Sequence, residues 1–302
     1  MSESLRGESR LTPRAIERIR SLPEFRRARE YRLYTGDGRR YLDLWADDGH
    51  AVGGHRSGRW RETLSNKLSR GLALPLPGPE ADKLRRAVRT WLSLEAVSED
   101  VRVSTNERPV YLFRDEVSRA RALLSLVPEL RVRDPLNSEP GEASSGVIVR
   151  AFSCPRSRPD EWILPVLPLP GAFAPCCLVG PAGAGNDLRV TEDLLAPAIL
   201  AAAARAVYDV CRMFRSASHG GEALARRLSA TGVWASRGPW LVPSIGGDEA
   251  AYDRLFFEHA NRSIIVNPAA GAPSVVPAVM SKGEKGRILE AAERCRKCGL
   301  GR

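Results

Sequence analysis

The sequence predicts an α/β chain closed by a compact α+β unit. Three observations support this. Helical and strand patterns alternate through the C-terminal half. Of the 302 residues, 43% are hydrophobic and 27% charged, a globular balance with enough chain for a sizeable core. No apolar run is long and clean enough to cross a bilayer; the nearest, 194–210, contains Pro197, Arg205 and Asp209.

In "LTPRAIERIRSL", Thr12 is a helix N-cap and Pro13 takes the first helical position, where its missing N–H costs nothing. Apolar and aromatic runs at 31–34 and 40–44 flank "TGDGR", a β-hairpin pattern. "GRWRETLSNKLSRG" sets Trp60, Leu64 and Leu68 at helical spacing and stops at Gly71. "LPLPGP" is a loop, and 80–92 is a second amphipathic helix with Leu84, Val88 and Trp91 on one face. A strand at 110–113, a helix through Leu126, a loop and the buried-type strand "GVIVRAF" follow. "WILPVLPLPGAFAPCCLVG" is apolar, but its prolines exclude a regular helix. Residues 191–214 form the longest helix, with Leu195, Ile199, Ala203, Val207, Val210 and Phe214 as its apolar stripe. Next come a helix at 222–230, the strand "WLVPSIG", the helix "EAAYDRLFFEHANR", strands in "SIIVNP" and "PSVVPAVM", and a last helix at 283–295. Ser281-x-x-Glu284 opens that helix as a capping box.

The net charge is +10, and only five of the 46 basic residues are lysines. The arginines are interleaved with acids, so "RRARE" and "RRAVR" are read as solvated helical surface rather than nucleic-acid contacts. The opening "MSESLRGESR" has no apolar signal core, and a cytoplasmic location is expected. Cysteines at 154, 176, 177, 211, 295 and 298 then predict no disulfide framework. Cys295 and Cys298 have zinc-knuckle spacing but lack a second ligand pair, and no metal is expected.

Two stretches support a family resemblance. Gly36-Asp37-Gly38-Arg39-Arg40-Tyr41-Leu42-Asp43-Leu44 is followed by Asp48-Gly49-His50-Ala51-Val52-Gly53-Gly54-His55 and then a helix. This order resembles the N-terminal signature of the class III aminotransferases, pyridoxal-phosphate enzymes of fold type I. The helix at 194–214 resembles the family's alanine-rich helix after its cofactor lysine, and 224–295 follows the order of its small domain. The resemblance implies a PLP-dependent transferase (fold type I)-like fold. It would have an N-terminal segment 1–58 packing with the small domain, a reduced large α/β domain 59–214 and a small α+β domain 215–302. It also implies a homodimer. The apolar stretch 163–179 has too few charges for an exposed loop and should lie in a core or an interface.

The family's chemistry requires a Schiff-base lysine, an aspartate on the pyridine nitrogen and a helix N-terminus for the phosphate. The resemblance sets the lysine near Val166 or Leu167, yet no lysine lies between Lys83 and Lys282. At the expected phosphate turn stand Arg114, Asp115 and Glu116, and the acids oppose an anion. Asp160-Glu161 matches the segment before the lysine rather than the ring-nitrogen pair. No catalytic residue is therefore expected, and pyridoxal phosphate is expected only if the family's activity is retained.

Asp48, His50, Gly54, His55 and Arg114 are the candidates for a vestigial ligand pocket. The alternative for the Gly-Gly-His turn is a purely backbone role. "GPAGAGND" is read as a flexible loop, and His219-Gly220-Gly221 resembles a hinge. The expected function is a binding or regulatory subunit without transaminase chemistry, with an unidentified small-molecule ligand as a candidate partner and no membrane role. The alternatives are an active enzyme with a relocated lysine, Lys282 first, and an arginine-rich nucleic-acid binder.

Overall fold

The computed structural model describes residues 11–55, 58–95, 108–127, 131–138, 144–153, 158–184, 190–215, 220–246 and 248–300. Cys154, His219 and part of "GPAGAGND" lie outside them. In chain order the elements are α1 Pro13–Arg20, β1 Phe25–Arg29, β2 Arg32–Thr35, β3 Arg40–Asp43, α2 Gly58–Leu68, α3 Glu80–Glu95, β4 Val110–Phe113, α4 Glu116–Leu126, β5 Val132–Arg133, β6 Gly146–Val149, β7 Trp162–Pro165 and β8 Cys176–Val179. Then follow α5 Pro197–Arg215, α6 Glu222–Ser229, β9 Trp234–Arg237, β10 Trp240–Pro243, α7 Glu249–Ala260, β11 Ile264–Ile265, β12 Ser274–Val275 and α8 Lys282–Cys295. The chain divides into a central unit, Ser57–Ala217, and a terminal unit, Ser9–Arg56 with Ser218–Arg302.

The central unit is built on a five-stranded sheet of order β4-β8-β7-β6-β5. β5, β6 and β7 run parallel, and β8 runs antiparallel to both β7 and β4. β6 and β7 are buried at every position, which their unbroken apolar sequences "GVIV" and "WILP" require of strands covered on both faces. Pro165 has no N–H to give, but it ends β7, and the ladder continues through Val166 N to the Val149 carbonyl at 2.8 Å. The two ends of the 163–179 stretch lie in the core: Ile163, Leu164, Leu167, Leu169 and Leu178 are all buried. Its middle does not: residues 171–173 are exposed, Phe173 at 46%. α2 and α3 both pack on α5, whose buried face includes the 201–204 alanine run. Such small side chains let helices approach closely. α5 begins at Pro197, six residues later than the sequence pattern suggests. A proline suits the first turn of a helix and not its interior, so Leu195 is buried upstream of the helix.

The terminal unit holds two sheets, β1-β2-β3-β11 and β12-β10-β9. β2 and β3 form the expected hairpin, with Leu33 opposite Tyr41 and Gly38 at φ 84 in its turn. β3 pairs in parallel with β11, Leu42 opposite Ile264. The Val275 amide reaches the Leu44 carbonyl at 2.7 Å, so the chain leaving β3 also meets β12. Leu42, Leu44, Trp234, Tyr252, Phe256 and Ile288 belong to one core cluster. β1 corrects the reading of "RRARE" as helix surface: Phe25–Arg29 is the edge strand of the first sheet. Arginines at an edge leave the charge pattern uninformative about period, and they also discourage pairing with a foreign strand. Arg27 lies over the Tyr34 ring at 4.4 Å from its centre.

Candidate functional site

Four of the five pocket candidates fall in one short stretch of the terminal unit, the loop after β3. Ala46, Asp47 and Asp48 all have left-handed backbones, with φ of 48, 51 and 56. Each such residue costs about 1–2 kcal/mol, so the loop needs external ties. Asp43 provides the first. Its Oδ1 accepts from the Trp45 and Ala46 amides at 2.8 and 3.1 Å. Its Oδ2 lies 2.7 Å from His55 Nε2. Asn267 provides the second, donating from Nδ2 to Asp48 Oδ1 at 2.5 Å and to the Pro273 carbonyl at 3.0 Å.

Gly54 sits at φ 88, where a Cβ would stand 3.1 Å from the carbonyl carbon and oxygen of Glu30. That close approach lets the His55 amide bond the Glu30 carbonyl at 2.6 Å. The glycine is required by backbone geometry. His55 is largely buried, and burial opposes its charge. The hydrogen bond and charge of Asp43, with Asp47 beyond it, outweigh that and raise its pKa. His50 ends the turn, its amide bonding the Asp47 carbonyl at 3.0 Å. These groups form a polar network that holds the loop.

Arg114 belongs to the central unit, directly before α4. Its amide donates to Asp193 Oδ2 at 2.8 Å. Asp115 is the N-cap of α4 and accepts from the Ser118 amide at 2.8 Å. A carboxylate thus already occupies the helix end where the resemblance would set a phosphate. The carboxylate that opposes an anion by its charge also caps the helix.

The end of β7 carries half-buried Val166 and buried Leu167, both apolar. Glu161, just before β7, is fully buried. Burial would push its carboxyl up, but Arg133, Ser144 and the Arg158 amide hold the pKa below the ordinary value. It bonds Arg133 at 3.0 and 3.1 Å and Ser144 at 2.6 Å. Arg108, also fully buried, donates to the carbonyls of Glu161, Gly180, Arg158 and Pro159 at 2.9–3.3 Å. Both side chains are committed to shaping the loops around the sheet. Sequence reasoning passed over Arg108 because nothing near it in the chain marks its burial.

The central unit also has a cleft of about 210 Å³ between the 76–78 loop, α3 and the 192–195 segment. Arg85 and Glu192 line it and pair with each other at 2.8 and 3.0 Å. The Leu112 amide also bonds Glu192, at 2.6 Å. With those charges spent on one another, the rest of the lining is mainly apolar: Leu76, Pro77, Leu194, Leu195 and Leu200. Leu74, Leu76 and Leu194 are well exposed.

The two lysines of the central unit are both on helices. Lys67 on α2 lies 2.5 Å from Glu80 Oε1, and Lys83 on α3 points to solvent. In the terminal unit Lys282 is exposed in the first turn of α8.

No protein-family profile matches the chain. It is 26% identical over 282 residues to an uncharacterized protein of Treponema pallidum, a match covering 86% of this chain and 91% of that one. An uncharacterized protein of Borreliella burgdorferi is 32% identical over 123 residues, 41% of each chain. Among solved structures the chain is similar to an omega-transaminase from Sphaerobacter thermophilus, with a TM-score of 0.61, 12% identity, and 99% of this chain and 100% of that one covered. It is also similar to Plasmodium falciparum ornithine delta-aminotransferase, with a TM-score of 0.62, 11% identity, and 97% and 95% covered. Acetylornithine aminotransferase from Elizabethkingia anophelis gives a TM-score of 0.55 at 13% identity, with 90% and 93% covered. At these identities the likeness establishes the fold: an α/β architecture of the pyridoxal-phosphate-dependent transferase type.

Proposed function

We propose that this chain is an aminotransferase-fold protein that does not transaminate and works as a binding or regulatory subunit. One observation carries the reading. The central unit has only two lysines; Lys67 is held by Glu80, and Lys83 is solvent-exposed on α3. A Schiff-base lysine must reach the cofactor aldehyde with a free amine, and an ion-paired or outward-facing one does not meet that need. The residues where the resemblance expects it are Val166 and Leu167. The Asp115 cap at the start of α4 counts against a phosphate there for a separate reason. Pyridoxal phosphate, when bound in this fold, supplies an electron sink to an amine substrate; the residues present do not fit that group. The cleft and the exposed leucines around it support a binding role. Homodimerisation is part of the proposal and rests on the resemblance alone.

The test is a visible spectrum of purified protein with pyridoxal phosphate, before and after borohydride. No stoichiometric aldimine band is expected, and reduction should leave the protein mass unchanged. A reduced adduct mapped to any of the five lysines would overturn the proposal and favour an active enzyme, with Lys282 the first residue to check.

A further inference from the structure

α8 does not stop at Cys295. The chain continues through a wider helical turn, Arg296–Leu300, which contains Cys298 and is released by Gly299 at φ 79. The two cysteines differ in environment. Cys295 is 1% exposed and belongs to the terminal unit's core cluster, which Leu300 also joins. Cys298 is exposed, and both are free thiols. They are close enough for charge at Cys298 to act on the Cys295 thiol. Burial is the larger influence there, pushing that thiol up to about 12.

We propose that Cys295 and Cys298 form a redox-active dithiol that exchanges with small anionic disulfides. Residues three apart on a helix have Cβ atoms about 5–6 Å apart. A disulfide needs roughly 3.5–4.5 Å between Cβ atoms and about 4.4–6.8 Å between Cα atoms. Closing the gap takes a local shift of about 1–2 Å. The last turn can supply it, because it is not a regular α-helix and ends at a glycine in the left-handed region. Residues 296–299 are all exposed. Cys176, Cys177 and Cys211 lie in the central unit, so within the terminal unit's described residues Cys298 has one thiol neighbour in sequence, Cys295.

Each step balances. The Cys298 thiolate attacks one sulfur of the external disulfide, forming a mixed disulfide and releasing one thiolate. Cys295 then gives its proton to solvent and attacks the Cys298 sulfur, releasing the second thiolate. The external disulfide is reduced to two thiols and the protein dithiol is oxidised to one disulfide. The exposed cysteine enters and the buried one resolves. A protonated, buried resolving thiol makes the second step the slow one.

The charge around Cys298 selects the partner. Arg296 and Lys297 are exposed and form no ion pair among the described residues. Arg294 is exposed too, and lies 3.8 Å from Glu290. Glu293 is a further acid close in sequence, while Glu258 and Arg262, which pair with each other, act on the Cys295 thiol with opposite signs. The balance favours a disulfide bearing carboxylates, as glutathione disulfide does, over a neutral one.

The test uses the full chain, exposed to glutathione disulfide or to neutral hydroxyethyl disulfide and then alkylated. After cleavage at glutamate, the fragment 294–302 should be 2 Da lighter and unalkylated, reporting one internal disulfide. Glutathione disulfide should react about tenfold faster at low salt, with the gap closing as salt rises. Cys295→Ser should trap the mixed disulfide at Cys298. Cys298→Ser, an exposed change that leaves the core intact, should abolish the reaction. A wild-type fragment that stops at the mixed disulfide, or a Cys298→Ser protein that still reacts, would refute the dithiol. Equal rates with the two reagents would refute the anionic partner.

Discussion

At the scale of single residues, the terminal unit depends on a few buried polar groups. Arg18 is 1% exposed. It bonds Asp253 Oδ1 at 2.8 Å, the Pro268 carbonyl at 2.8 Å and Glu249 Oε2 at 2.5 Å, and lies over the Tyr252 ring. Arg18→Ala should cost about 3 kcal/mol in urea unfolding, the low end for breaking a buried pair, because Glu249 remains partly solvated. Gly54→Ala meets both a left-handed backbone and the Glu30 carbonyl. It should cost about 1–3 kcal/mol by the same measurement. The histidines diverge. His259 is buried with Nδ1 2.8 Å from the Leu255 carbonyl, and burial lowers its pKa to about 4. That of His55 is raised. In an NMR titration His259 should stay neutral well below pH 6.5, while His55 should stay protonated above it.

At the scale of elements, α8 is the clearest case of local chemistry fixing a helix. Ser281 and Glu284 form the full capping box, the Ser281 amide reaching Glu284 Oε2 at 2.8 Å. Ser281→Ala should cost about 1 kcal/mol. Glu284 also takes a two-point contact from Arg32 at 2.8 and 2.9 Å, which ties α8 to β2. Burial alone would raise the Glu284 pKa, but Arg32 and Ser281 bring it to about 2 from an ordinary 4.5. A depressed carboxylate stabilises fully above its unfolded pKa, and that share is lost as pH falls from about 4.5 toward 2. His259 has the same sign in a higher window. It stays neutral in the fold and charges on unfolding, so its share is lost from 6.5 down to about 4. Acid titration of stability should therefore fall in two stages. His259→Phe should flatten the upper stage, and Glu284→Gln the lower; a single unbroken slope in either variant would contradict the assignment.

At the scale of the whole molecule, the net charge of +10 invites a nucleic-acid reading. Seven of the 41 arginines are already committed within the fold. Arg18, Arg108, Arg119 and Arg150 are buried, and Arg32, Arg85 and Arg133 are paired with acids. Such side chains cannot release counterions from a phosphate backbone. Binding to duplex DNA should be no tighter than the non-specific range, about 10⁻⁴–10⁻⁶ M, at physiological salt. Sub-micromolar, sequence-dependent binding would reverse that conclusion. Light scattering at micromolar concentration should give twice the chain mass if the homodimer proposal holds.

Taken alone, the sequence determined the features whose cause is local. The Thr12 cap and Pro13 start, the hairpin around Gly38 and the Ser281 box each depend on neighbours in the chain, and each is found as read. So does the lack of a lysine between Lys83 and Lys282, which is a matter of composition. The tertiary structure decided the rest. It made "FRRAR" an edge strand, because solvated arginines carry no hydrophobic period to reveal one. It put both ends of 163–179 in the sheet core and left Phe173 in its middle exposed. It gave Asp115 a capping role besides its charge, and set His55 against Asp43. Arg18 meets partners more than 230 residues away, and Asn267 reaches Asp48 across 219. Contacts between side chains so distant in sequence have no local signature; only the folded backbone brings them within hydrogen-bonding range.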